Sequence, residues 1–160
     1  MVKIILLAAS AGGKSTLMKY MREHTNLNVM EMDEEIIKIN HGTWPNDNNY
    51  KDQILVPKIV ENILDKDEVI YLASYVPDYL IEKARLNNFK VLLLEVSIDE
   101  LIRRNKHRMK IERYEDASRW FRSQINTFNK LKEKELVDGV INGNSSTEDI
   151  AIEISSYITQ

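Results

Sequence analysis

The chain has no cysteine among its 160 residues. That excludes a disulfide framework, a thiolate metal site and a cysteine nucleophile, and it fits a reducing compartment, so a cytoplasmic location is expected. Internal repeats and low-complexity stretches are also missing, which leaves a single domain over residues 1–160. No apolar run is long enough to cross a bilayer. The N-terminal "MVKIILLAAS" is too short and runs straight into a glycine loop, so it reads as a buried strand and not as a signal peptide or anchor. Nor is there an excess of positive charge: the formal net charge is −3, so broad attraction to nucleic acid is not suggested and only a local basic patch remains open. What is present is a chain 43% hydrophobic and 29% charged, the balance of a globular domain with a full core.

Apolar patterning alternates between strand and helix. Val2 to Ala8 is apolar apart from Lys3, as expected for a central strand buried on both faces. A helix is expected from Ser15 to Arg22, a short strand from Asn28 to Met32, a helix from Asp33 to Asn40 and a loop over His41 to Asn49. A further helix, Tyr50 to Leu64, carries Pro57 as a source of kinking. Strands follow at Glu68 to Ala73, Phe89 to Val96 and Val137 to Ile141. Pro77 starts a helix ending near Asn87, and Ser97 with Glu100 forms a capping box. Lys106 to Arg113 reads as basic and irregular. Ala117, Trp120, Phe121, Ile125, Phe128 and Leu131 then lie at helical spacing, and Ser145 or Ser146 caps a last helix from Thr147 to Ile158. Strands that alternate with helices pair in parallel through crossovers, which gives a three-layer α/β/α fold. Ligands in such folds sit beyond the carboxyl ends of the strands.

The stretch Ala8-Ala9-Ser10-Ala11-Gly12-Gly13-Lys14-Ser15 falls between the first strand and the first helix. It matches G-x-x-x-x-G-K-[ST] at the second glycine, the lysine and the hydroxyl, with Thr16 following, whereas Ala8 and Ala11 stand where glycines are usual. Such a loop turns successive N–H groups inward around an anion, and the helix N-terminus adds positive potential there. Alanine keeps its N–H, so the expectation is a nucleotide site in which residues 10–16 wrap the phosphates of ATP. Lys14 reaches the β- and γ-phosphates and Ser15 holds Mg²⁺.

With that loop, an acid after the second strand, arginines after the fourth and a polar turn after the fifth, the chain resembles the small P-loop kinases that phosphorylate nucleotides and small metabolites. The resemblance implies a five-stranded parallel sheet in the order 2-3-1-4-5, acceptor-binding helices over residues 34–66 and a lid over 104–116. "VMEMDEEI" looks like the D-x-D of shikimate kinases with Glu31 in first place, and like the acid of polynucleotide 5′-kinases. Strand alternation puts Glu31 and Asp33 on one side, and Asp33 is the candidate to orient an acceptor hydroxyl or to hold Mg²⁺. Arg104 and Arg108, four residues apart, are similar to the R-x-x-x-R of the related lids. The likeness assigns them to the phosphates, with Arg113 as a further contact and Asn142 and Gly143 beside the adenine.

Two departures bear on the acceptor. No arginine lies between Arg22 and Arg85, so the acceptor helices carry Lys38, Lys51, Lys58 and Lys66 instead, and the third strand ends in "IYLASYVP" without a closing acid. The implied activity is transfer of the γ-phosphate of ATP to a nucleoside or (deoxy)nucleoside monophosphate. A polynucleotide 5′-hydroxyl kinase and a shikimate-like small-metabolite kinase are the alternatives. A catalytically silent nucleotide binder and a basic nucleic-acid binder that needs no ATP are the readings from other classes. The expected partners are a nucleotide donor and a small-molecule acceptor, or a nucleic-acid end, with no membrane.

Overall fold

The computed structural model of the chain describes residues 1–158. Five parallel strands run in the order β2-β3-β1-β4-β5: β1 Lys3–Ala8, β2 Val29–Glu31, β3 Val69–Ala73, β4 Lys90–Glu95 and β5 Gly139–Asn142. The expected order is therefore the observed one. β1 is central, with Leu7 opposite Ala73 of β3 and Ala8 opposite Leu94 of β4.

Its side chains alternate between two cores. Ile4, Leu6 and Ala8 pack with α1 (Lys14–His24) and α8 (Thr147–Ile158). Ile5, Leu7 and Ala9 pack on the other face with α4 (Val56–Leu64), α5 (Asp78–Leu86) and α7 (Ser118–Glu133). Burial on both faces explains the unbroken apolar run, each buried leucine or isoleucine contributing about 1.5–3 kcal/mol. Among the described residues no helix is long and apolar enough to cross a membrane.

Three local expectations need correction. Strand β2 stops at Glu31, and Met32–Ile39 is already helix α2, so strand alternation does not govern Asp33. The buried Glu31 carboxylate caps α2 by accepting the Glu34 N–H at 3.0 Å, which starts the helix early.

The helix predicted over residues 50–64 is interrupted. A short α3, Asn48–Tyr50, opens into a π-helical turn, Lys51–Leu55, before α4. Val56 N–H returns to the carbonyl of Lys51 there. Pro57 has no N–H to donate, and its ring would press on the carbonyl four residues back; the wider turn relieves both.

Helix α6, Ile98–Ile111, runs through the segment read as irregular. Lysine, arginine and methionine are good helix formers, and Leu101 with Asn105 supplies the buried face. The helix ends where Arg113 turns left-handed (φ 58°), letting the Tyr114 N–H reach back to the Arg108 carbonyl at 3.2 Å. Only residues 112–117 remain as a connecting loop. Asn105 clasps its far end, donating to Asp116 at 2.8 Å and accepting the Ala117 N–H at 3.0 Å.

The capping residues settle two further details. Ser97 accepts the Glu100 N–H, but the Glu100 carboxylate turns to Arg103 and Arg104, so half of the capping box forms. Ser146, not Ser145, caps the last helix by accepting from the Asp149 N–H at 3.1 Å.

Candidate functional site

The carboxyl ends of β1, β3 and β4 open onto the loop of residues 8–15. Helix α1 starts at Lys14, after Gly13 (φ 97°), with no side-chain cap and no acid in its first turn, so its leading amides are left for an anion. Gly12 is needed for space: a Cβ there would lie 2.6 Å from the Ala9 carbonyl oxygen, to which its own N–H is bonded at 2.8 Å. Ala11 takes a left-handed angle (φ 62°) that glycine adopts freely, so this alanine holds about 1–2 kcal/mol of backbone strain inside the loop.

Lys14 is 8% exposed. Its Nζ donates to the carbonyls of Ala8 at 3.2 Å and Ala9 at 3.1 Å, folding the side chain back over the loop. Burial lowers its pKa, the charges of Asp33 and Glu31 raise it, and Arg108 lowers it again. The charges of Asp33, Glu31 and Arg108 are thus felt at the ammonium group. Glu31 itself is pushed up, first by burial and then by Asp33. Asp33, in the first turn of α2, is exposed and accepts no side-chain hydrogen bond among the described residues. Ser15 and Thr16 are exposed at the start of α1.

Arg104 joins three expected positions. Its guanidinium donates to Glu100 at 3.0 Å and to the Gly143 carbonyl at 2.9 Å, and it lies 3.7 Å from where a Cβ on Gly13 would stand. Gly143 in turn donates to the Glu95 carbonyl at 2.7 Å, and Asn142 accepts the Asn144 N–H at 2.9 Å. The turn after β5 is thus fixed to both β4 and α6. Arg108 stacks on Tyr114, its guanidinium carbon 4.2 Å from the ring centre. Arg113, left-handed beyond the end of α6, forms no hydrogen bond from its side chain among the described residues.

Sequence reasoning missed Gln124. From α7 it accepts the Ser10 N–H at 2.9 Å and donates to the Ser10 hydroxyl at 3.0 Å. A contact between residues 114 positions apart leaves no local signal, although the place of α7 beside β1 follows from its apolar stripe. Glu34, by contrast, is occupied elsewhere, paired with Arg22 at 2.9 Å.

Parallel order, central strand, phosphate loop and buried lysine together define the P-loop fold. No protein-family model and no curated protein matches the sequence. Solved structures do match the fold. A shikimate kinase from Aquifex aeolicus aligns with TM-score 0.73 at 14% identity, covering 99% of this chain and 96% of that one. A shikimate kinase from Acinetobacter baumannii, solved in complex with shikimate, gives 0.72 at 14%, covering 99% and 94%. A gluconokinase from Sinorhizobium meliloti gives 0.60 at 18%, covering 96% and 89%. The chain has the fold of small P-loop kinases over nearly its whole described length.

Proposed function

We propose that the protein is an ATP- and Mg²⁺-dependent kinase that phosphorylates a hydroxyl group of a small molecule. One observation carries this reading: a buried lysine at an uncapped helix start, folded back over the loop after the central strand, on which the charges of Asp33, Glu31 and Arg108 all act. The loop amides and Lys14 bind the donor's phosphates. Arg104 and Arg108 meet the negative charge that gathers on the moving phosphoryl group. Ser15 would hold a magnesium ion, which when bound neutralises phosphate charge. Among the described residues no cluster of three acids or histidines offers a separate metal site.

Asp33 accepts the proton of the acceptor hydroxyl. That oxygen bonds to the γ-phosphorus while the bond to the ADP oxygen breaks. The two departures in the sequence favour a hydroxyl acceptor over a nucleoside monophosphate. The helices α2 to α4 supply no guanidinium fork for a second phosphate, and likeness to shikimate and gluconate kinases supports the same class. A nucleoside remains an acceptor of this kind.

The test is γ-phosphate transfer from ATP across a panel of hydroxy acids, nucleosides, nucleoside monophosphates and 5′-hydroxyl oligonucleotides. Transfer to a hydroxy acid or nucleoside, lost in Lys14→Met, supports the reading. Transfer only to monophosphates or oligonucleotide ends overturns the acceptor class. ATP binding without transfer to any acceptor leaves a silent nucleotide binder.

A further inference from the structure

A second cleft, about 370 Å³, opens between the carboxyl end of β4, the start of α6 and the inner face of α7. Its volume lies within the range of about 300–1,000 Å³ usual for small-molecule sites. Val96, Ile98, Ile125 and Phe128 make its apolar lining, and Ala9 of the phosphate loop forms part of its wall. None of Lys14, Asp33, Arg104 or Arg108 lines it, so it is separate from the site described above.

Its charges do not balance. Glu95 at the edge is matched by Lys132 at 2.7 Å. Arg122, which also lines the cleft, has no hydrogen bond or ion pair among the described residues. An unmatched guanidinium beside an apolar pocket suits a carboxylate on an apolar body, because the planar fork meets both carboxylate oxygens. Gln124, two residues further along α7, grips Ser10 through both its amide and its hydroxyl, directly after Ala9. The phosphate loop is therefore pinned to α7, the helix that also supplies Arg122, Ile125 and Phe128 to the cleft.

We propose that this cleft binds a small carboxylic acid with an aromatic or branched apolar body, its carboxylate on Arg122, and that occupancy biases the phosphate loop through Ala9 and the Gln124–Ser10 pair. The coupling rests on the nucleotide-site reading; the acid site does not.

The probe is 2-naphthoate, compared with 2-naphthylmethanol, titrated calorimetrically into the full chain without nucleotide. The acid should bind at least tenfold tighter than the alcohol. Arg122→Met, at an exposed position and keeping an apolar stem, should erase that preference with an unchanged melting curve. Equal affinities, or a preference that survives in Arg122→Met, overturns the site. With Mg·ATP present, the acid's affinity should shift at least threefold, and Gln124→Leu should abolish the shift while the acid still binds. Mg·ATP that binds without moving the acid's affinity overturns the coupling. Failure of Mg·ATP to bind defeats the kinase reading instead, while the acid-over-alcohol ratio still decides the site.

Discussion

On the phosphate-loop side, Ser10, Lys14, Arg104 and Gly143 are each held by hydrogen bonds to the loop or to another element. On the side of α2 to α4, Asp33 is held by none from its side chain, Trp44 is 44% exposed and Tyr75 is 37% exposed. The first arrangement is ordered before any ligand arrives, which lowers the cost of binding a fixed chemical group such as a triphosphate. The second has no such bonds at Asp33, so on the proposed kinase reading its ordering would be left to the moment an acceptor makes contact.

Breaking each side separately sharpens that contrast. Asp33→Asn should lower phosphoryl transfer by about 10²–10⁴-fold while leaving ATP affinity unchanged, read from steady-state turnover beside calorimetry. A parallel loss of ATP affinity would place Asp33 on the donor side. Lys14→Met should cost about 10²–10³-fold in transfer and weaken ATP binding as well.

On the kinase reading a proton would accompany that binding step. Burial holds free Lys14 below its ordinary 10.5, and added phosphate charge raises it again. On the proposed reading, ATP binding would therefore take up a proton once the pH exceeds the lowered value of free Lys14, and well below it would not. The observed enthalpy should vary with the buffer's ionisation enthalpy in wild type and not in Lys14→Met.

Smaller effects sit in the loop's backbone. Gly12→Ala meets a carbonyl oxygen at 2.6 Å and should destabilise the fold by about 1–3 kcal/mol in urea unfolding. Ala11→Gly should act the opposite way, relieving the left-handed strain for a net gain of about 0.5–1 kcal/mol after glycine's entropy cost. A loss of stability in that variant would mean that the Ala11 side chain, 7% exposed in the core, contributes more than its backbone angle costs.

Features that depend on neighbours in the chain were legible. The strand–helix alternation, the phosphate loop, the Ser97 cap and the uninterrupted β1 all follow from local composition and period. Features set by distant partners or by missing groups were not. Polar surface residues hid the length of α6, whose buried face has only Leu101 and Asn105 as markers. The early end of β2 depends on a glutamate acting as a cap, a role that aspartate and serine usually fill. Arg104 stood out as an arginine of the basic segment, but its bond to Gly143 joins residues 39 positions apart.

The π turn at Lys51–Leu55 has a consequence for how this protein changes over generations. Such a turn holds one residue more than the α-helix it interrupts, so the chain carries a spare residue there. Deleting one residue in that turn would leave the α4 stripe of Ile59, Val60 and Ile63 seated on the sheet. It would draw the widened turn back to α-helical width, with the residues before it, Tyr50 included, keeping their face of the helix. A single-residue loss at this spot is thus taken up by the turn while the core stays as it is.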